Sequence, residues 1–259
     1  MKQVVTYSDP WPTLRDMYDH LIIHQKGNSI IYHLPDRENI RYIADRSIRA
    51  PKKKMFAFAK IKKLAREYIE LHDLPPGPGQ KLNIIGKNSH LLDLFPTYFG
   101  GYYADVAGAY WETAFLLGVI DSKFYESLKD EKFLRNACIG SLATKTYIWE
   151  YSRESRSKKL IQTVPNPCES VYYLIANFVA ERMDFVAKEG FLYWVDCIYS
   201  PYADMADRIK GAFPRQFRFT EKTFVSLRYD RENETVFTKL PNTPIRPYMF
   251  SRAQQFFEL

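Results

Sequence analysis

A chain of 259 residues that is 46 % hydrophobic and 26 % charged can bury a core, which excludes disordered, fibrous and membrane-spanning classes. Its formal net charge of +7 suits a polyanionic partner. Three cysteines, Cys138, Cys168 and Cys197, show no CxxC spacing, which argues against zinc or a disulfide framework and for a reducing compartment. The N-terminus carries no apolar leader and no apolar run approaches the length of a membrane span, so a cytoplasmic location and no membrane partner are expected.

Trp11 to His20 has the pattern of a short helix, Ser29–His33 that of a strand, and Arg37 to Ile48 that of a helix. His20, His24 and His33 lack the HExxH glutamate, and no cysteine lies near them, so surface or packing roles are expected for them. From Lys52 to Leu71 an amphipathic helix is predicted, with Phe58, Ile61, Leu64, Tyr68 and Leu71 on one face. Lys52, Lys53, Lys54, Lys60, Lys62, Lys63 and Arg66 lie outside that stripe. They form either a solvated face or a surface that tracks phosphates, two readings of equal standing. The breakers of Asp73–Gly79 end the helix. They part the chain into a basic, mixed α/β N-terminal region, 1–80, and a second region, 81–259.

In the second region Leu82–Ile85 reads as a strand and Ser89–Phe95 as a short helix. Gly101 to Trp111 follows: an aromatic strand ending at Asp105 and a helix from about Ala107. A carboxylate at a strand end is either a helix cap or a metal ligand. Asp121 is a predicted N-cap for the next helix. Lys129 to Tyr147 reads as helix with Gly140 inside it, Tyr151 to Lys159 as a charged loop, and Ser170 to Lys188 as a long helix closed by Gly190. Phe191 to Tyr199 then reads as one buried strand with Asp196 in its middle. A carboxylate in an apolar run is costly unless it is paired or binds a cation. Beyond a helix from Ser200 to about Lys210, strands at Thr223–Tyr229 and Thr235–Lys239 flank a polar turn, and the tail from Pro241 to Pro247 is expected to be extended.

Two strand acids, Asp105 and Asp196, with a cationic helix between them in sequence are the parts that two-metal phosphoryl transfer requires. On that helix Lys132, Arg135 and Asn136 lie at i, i+3 and i+4 and share a face. Lys and Arg there suit the neutralisation of a triphosphate.

These residues resemble the palm of family B DNA polymerases. Asp105 and Tyr110 keep the spacing of the family's motif A. Lys132-Phe-Leu-Arg-Asn136-Ala-Cys-Ile-Gly140 follows its motif B, and Asp196, after a long helix and Gly190, follows its motif C. The resemblance covers about residues 100–230. It implies an α+β fold in which a palm-like antiparallel sheet carries two acidic strands and packs on helices. It implies that Asp105, Asp196 and the Val106 carbonyl hold two Mg2+ or Mn2+ ions. Tyr110 would lie under the incoming sugar, Lys132 and Arg135 would contact the triphosphate, and Asn136 and Gly140 would lie beside the nascent base pair. Arg228 and Tyr229 match a basic–Tyr pair that grips the primer end.

The chain departs from the family pattern at several points. Trp194 stands where the first acid of motif C is usual, Trp111 replaces a proline and Ile139 a tyrosine. The interval between motifs A and B is too short for full-length fingers, and no exonuclease acids or thumb are recognisable. The expected function is nucleotidyl transfer on DNA or RNA with nucleoside triphosphates, with partner proteins supplying missing elements. Lys52, Lys53, Lys54, Lys60, Lys63, Arg228 and Tyr229 would serve nucleic-acid binding. Two alternatives stay open: a catalytically inactive, polymerase-derived binding or assembly module, and an α/β protein in which Asp105 is a cap and Asp196 pairs with a buried cation.

Overall fold

A computed structural model of the chain describes residues 3–43, 52–75, 77, 82, 84–187 and 190–250. Among the described residues it is an α+β fold of eight helices and three sheets, antiparallel except for one strand pair. The elements run β1 (Gln3–Thr6), α1 (Trp11–Met17), β2 (His20–Lys26), β3 (Ser29–His33), β4 (Asn39–Ile43), α2 (Lys52–His72), β5 (Ile85–Lys87), α3 (Ser89–Leu94), β6 (Thr97–Phe99) and β7 (Tyr102–Ala107). They continue with α4 (Ala109–Leu116), α5 (Ser122–Leu128), α6 (Lys132–Ala143), β8 (Thr146–Ser152), β9 (Ser157–Val164), α7 (Glu169–Ala187), β10 (Leu192–Trp194) and β11 (Cys197–Ser200). The chain closes with α8 (Met205–Ala212), β12 (Arg218–Thr223), β13 (Ser226–Asp230), β14 (Thr235–Lys239) and β15 (Arg246–Met249).

Two compact units divide the chain: 1–79 with 118–173, and 80–117 with 174–259. The break at 79/80 falls in the proline- and glycine-rich stretch where the sequence parts. Residues 118–173, expected in the second region, belong instead with the first unit.

The first unit is built on a six-stranded sheet, β1-β4-β3-β2-β8-β9. Alternation sends Leu21 and Ile23 of β2, Tyr32 of β3 and Tyr151 of β8 to one face, where they pack with Leu14 and Tyr18 from α1 and the segment after it. On the opposite face the rings of His24 and His33 lie 4.3 Å apart, the packing role expected of them. Arg37 to Ile48 does not form a helix as far as it is described. Asn39–Ile43 is a strand between β3 and β1, and 44–50 lie outside the described residues. Ile40 and Tyr42 flank Arg41 with period two, and that alternation prevails over the helical reading. The Tyr151 to Lys159 stretch is also not a loop throughout, because β8 and β9 pair from Thr146↔Val164 to Ser152↔Ser157. The residues of β9 are all exposed at the sheet edge, and their polar composition hides the strand.

On α2 the buried residues are Ala57, Ile61 and Ala65, while Leu71 is exposed, so the apolar face is rotated toward the small residues. The Asp121 carboxylate accepts the Phe124 N–H at 2.7 Å as the expected N-cap of α5. The helix carrying Lys132 ends at Ala143 rather than Tyr147, where Thr144 turns extended into β8.

The second unit is layered about the sheet β12-β7-β11-β10-β5, antiparallel throughout. Ala104, Val106, Tyr193 and Ile198 face Val179, Met183 and Val186 of α7 and Met205 and Ile209 of α8. The other face, with Tyr103, Leu192, Cys197 and Tyr199, packs on Leu227, Val236 and Tyr248 of the sheet β15-β14-β13-β6. Gly101 sits at the entry to β7 where only a bare backbone fits. An added Cβ would run into the Phe224 ring and come within 2.8 Å of the Ser200 carbonyl.

Candidate functional site

β7 delivers Asp105, and its pairing fixes what stands beside it. Asp105 is opposite Cys197 on β11 and Thr220 on β12. Directly opposed residues of an antiparallel pair share a face. One row therefore crosses four strands: Thr220, Asp105, Cys197 and Trp194.

Phe191 to Tyr199 is not one continuous strand. Trp194 pairs with Cys197, so Val195 and Asp196 are the two loop residues of the β10–β11 hairpin. The hairpin tip lies against β7, where the Val106 N–H donates to the Asp196 carbonyl at 2.8 Å. The backbones of Asp105 on β7 and Asp196 in the hairpin loop thus adjoin, and both residues are half-buried. Val195 holds φ 61, a left-handed conformation that favours glycine and costs a β-branched residue about 1–3 kcal/mol. Its N–H, donating to the Ile84 carbonyl at 2.6 Å, holds it there. Backbone strain of this kind collects where a fold must aim a particular side chain.

The Cys197 thiol registers both acids. Burial pushes its pKa up first, and the charges of Asp196 and Asp105 then raise it further. Burial likewise raises the neighbouring Tyr103 phenol, with Cys197 and Asp105 adding to the shift. Trp194 packs on Tyr248 and Phe250 with ring centroids 5.1 and 5.5 Å away. Among the described residues no three His, Cys, Asp or Glu side chains gather as a metal cage. Asp105 and Asp196 would offer hard carboxylate oxygens. That fits Mg2+, which keeps several waters and takes the rest of its ligands from substrate phosphates.

After Ala107 the chain turns through Gly108 at φ 68 into α4, so strand and helix each lie about two residues beyond the expected junction. Tyr110, on the first turn of α4, packs against the helix-side core. Arg228 and Tyr229 on β13 alternate in direction. The Arg228 guanidinium lies 4.8 Å from the Phe237 ring centroid, and the Tyr229 hydroxyl accepts from Lys87 Nζ at 3.1 Å. Sequence reading passed over Lys87, whose Nζ also bonds Glu234 at 2.8 Å. Burial alone would lower this ammonium, but the bonds to Glu234 and Tyr229 outweigh it and its pKa is raised. The available signal was a lysine placed directly after the apolar run Ile84-Ile85-Gly86.

The remaining residues expected at the site belong to the first unit. Along α6, Lys132, Asn136 and Gly140 are exposed, and Phe133 beside them is 91 % exposed. Arg135 is half-buried, and its Nε and Nη1 have no hydrogen-bond partner among the described residues. On α2 Lys60 bonds Asp121 at 2.9 Å, and Lys63 lies 3.5 Å from Glu67 one turn on. Lys54 is half-buried, and the side chains of Lys52 and Lys53 lie outside the described residues. Burial lowers the Lys62 pKa, and the nearby Lys26 adds to the shift. Among the described residues no helix is long and apolar enough to cross a membrane. No protein-family model, curated protein or solved structure matches this chain.

Proposed function

We propose that the second unit is a palm of the family B DNA polymerase kind and that the chain performs metal-dependent nucleotidyl transfer on nucleic acid. The observation that carries this reading is the strand register. Asp105 on β7 and Asp196 at the β10–β11 tip adjoin, tied by the Val106–Asp196 backbone bond. Both residues are half-buried, and the charges of both act on the Cys197 thiol; a divalent cation at this corner would favour their charged forms. In this reading a strand-end hydroxyl attacks the α-phosphate of a nucleoside triphosphate, and pyrophosphate leaves. Mg2+ or Mn2+, as a pair of ions, would stabilise the attacking and leaving oxygens. Asp105 and Asp196 would hold the cations. Within the second unit, Tyr110 bounds the sugar, and Arg228 and Tyr229 grip the strand end.

One observation favours a second reading, a polymerase-derived module without catalysis. The place of the other motif C acid is filled by Trp194, packed on Tyr248 and Phe250. Incorporation of labelled dNTPs and NTPs on a primer–template and on single strands, with Mg2+ or Mn2+, separates the two. Wild type should incorporate, while Asp105→Ala and Asp196→Ala each lose activity and retain nucleic-acid binding. Binding without incorporation in all three proteins would instead establish the inactive module.

A further inference from the structure

β12 is an edge strand of the five-stranded sheet, and its alternation sorts its charges. Phe219 turns to the helix-side core. Glu221, opposite Ala104 on that same side, forms an ion pair with Lys210 of α8. Arg218, Thr220 and Lys222 take the other face, the one that carries Asp105. The strand's one acid is thereby removed from that face, and what remains is a cation, a hydroxyl and a cation in a line.

That line is centred on the acids. Thr220 stands directly opposite Asp105, with Lys222 opposite Tyr103 on one side and Arg218 opposite Ala107 on the other. Arg218 lies toward the same end of the sheet as the hairpin tip with Asp196, because Val106, bonded to that tip, precedes Ala107. Both cations are exposed. Arg218 Nη2 stands 4.0 Å from Oε1 of the buried Glu112, while the Arg218 side chain stays 72 % exposed and open to a further anion. Four strand residues span about 13 Å, so Arg218 and Lys222 do not grip one phosphate together. They suit a polymer whose phosphates recur along its length.

We propose that Arg218, Thr220 and Lys222 form a phosphate-tracking strip that seats the backbone of a nucleic-acid strand along the open edge strand β12, with its end at Asp105 and Asp196. The strip rests on the nucleic-acid reading above and adds which residues grip the strand. Arg218 and Lys222 act on position and affinity, and Thr220 donates its hydroxyl to the intervening phosphate.

The test is binding of a fluorescent single-stranded oligonucleotide and of a primer–template duplex, titrated at several salt concentrations. Wild type is compared with Arg218→Ala/Lys222→Ala, with Arg218→Glu/Lys222→Glu, and with Arg231→Ala as an exposed cation elsewhere in the unit. Thermal melting checks that each variant is folded. Two lost contacts should reduce the single-strand salt slope by about 1.4, at about 0.7 per phosphate. The charge reversal should weaken binding further, and Arg231→Ala should leave it unchanged. An unchanged slope in the double alanine variant overturns the strip while leaving the acid-pair reading to the incorporation assay. An equal loss in Arg231→Ala also overturns it, since the attraction would then be general. If wild type binds neither oligonucleotide at any salt concentration, the strip falls together with the nucleic-acid reading.

Discussion

The acid corner of the second unit and the exposed face of α6 in the first hold their residues by opposite means. Asp105 and Asp196 are set by backbone pairing across three strands, with a strained Val195 at the hairpin tip and two cores packed on either side of the sheet. Nothing about that corner can shift without moving a strand. Lys132, Phe133, Asn136 and Gly140 instead project from a helix whose buried side is Cys138, Ile139 and Leu142. The fold uses the buried side and leaves the other unconstrained. Function built on pairing is therefore exposed to any substitution that disturbs the sheet, whereas function built on a helix face can be changed while the fold stays intact.

The strongest way to break this contrast is at the foot of β7. Gly101→Ala drives a methyl group into the Phe224 ring and toward the Ser200 carbonyl. Backbone on one side and a buried ring on the other leave no cheap relaxation, so a loss of about 2–3 kcal/mol is expected. Urea denaturation measures it. A variant as stable as wild type would mean that β7 has slack and that the acid corner is less fixed than its register implies.

Asp121→Ala tests the scaffold of the first unit and should cost less. The carboxylate caps α5 and bonds Lys60 of α2, and loss of an N-cap costs about 1 kcal/mol. The Lys60 bond, then the Phe124 N–H, hold its pKa below the usual carboxylate value. A depressed folded pKa stabilises above the unfolded pKa of about 3.9. That contribution is lost as the pH falls through the lower folded value. The melting gap between wild type and Asp121→Ala should accordingly be full at pH 7 and narrow below about pH 3.9. A gap that does not change with pH would assign the effect to packing rather than to charge.

Local chemistry was legible in the sequence and long-range pairing was not. The Asp121 cap, the long α7 and the strands either side of Asp230–Glu234 follow from signals within a few residues. The hairpin at Val195–Asp196 does not, because it opens on a β-branched residue at positive φ. Its tight loop is imposed by β5 and β7 on either side. β4 was hidden by its charged neighbours and β9 by its polar composition. Asp105 and Asp196 could be singled out as acids in apolar surroundings, but only the register reveals that they adjoin. Arg218 and Lys222 carried no signal at all until β12 was placed beside β7.

The smallest effect is the most discriminating, because stability and function are read side by side. Gly140 lies inside α6, exposed, and a Cβ built there meets nothing within 4 Å. A glycine inside a helix costs about 0.5–1 kcal/mol relative to alanine, and no internal contact of the fold requires it. Gly140→Ala should therefore raise the melting temperature, and nucleotide incorporation measured beside it reads whether the bare backbone has a use besides the fold. A melting temperature that does not rise would mean that the glycine serves the fold itself, whereas a rise with unchanged incorporation would leave the acid corner as the sole ground for the proposed chemistry.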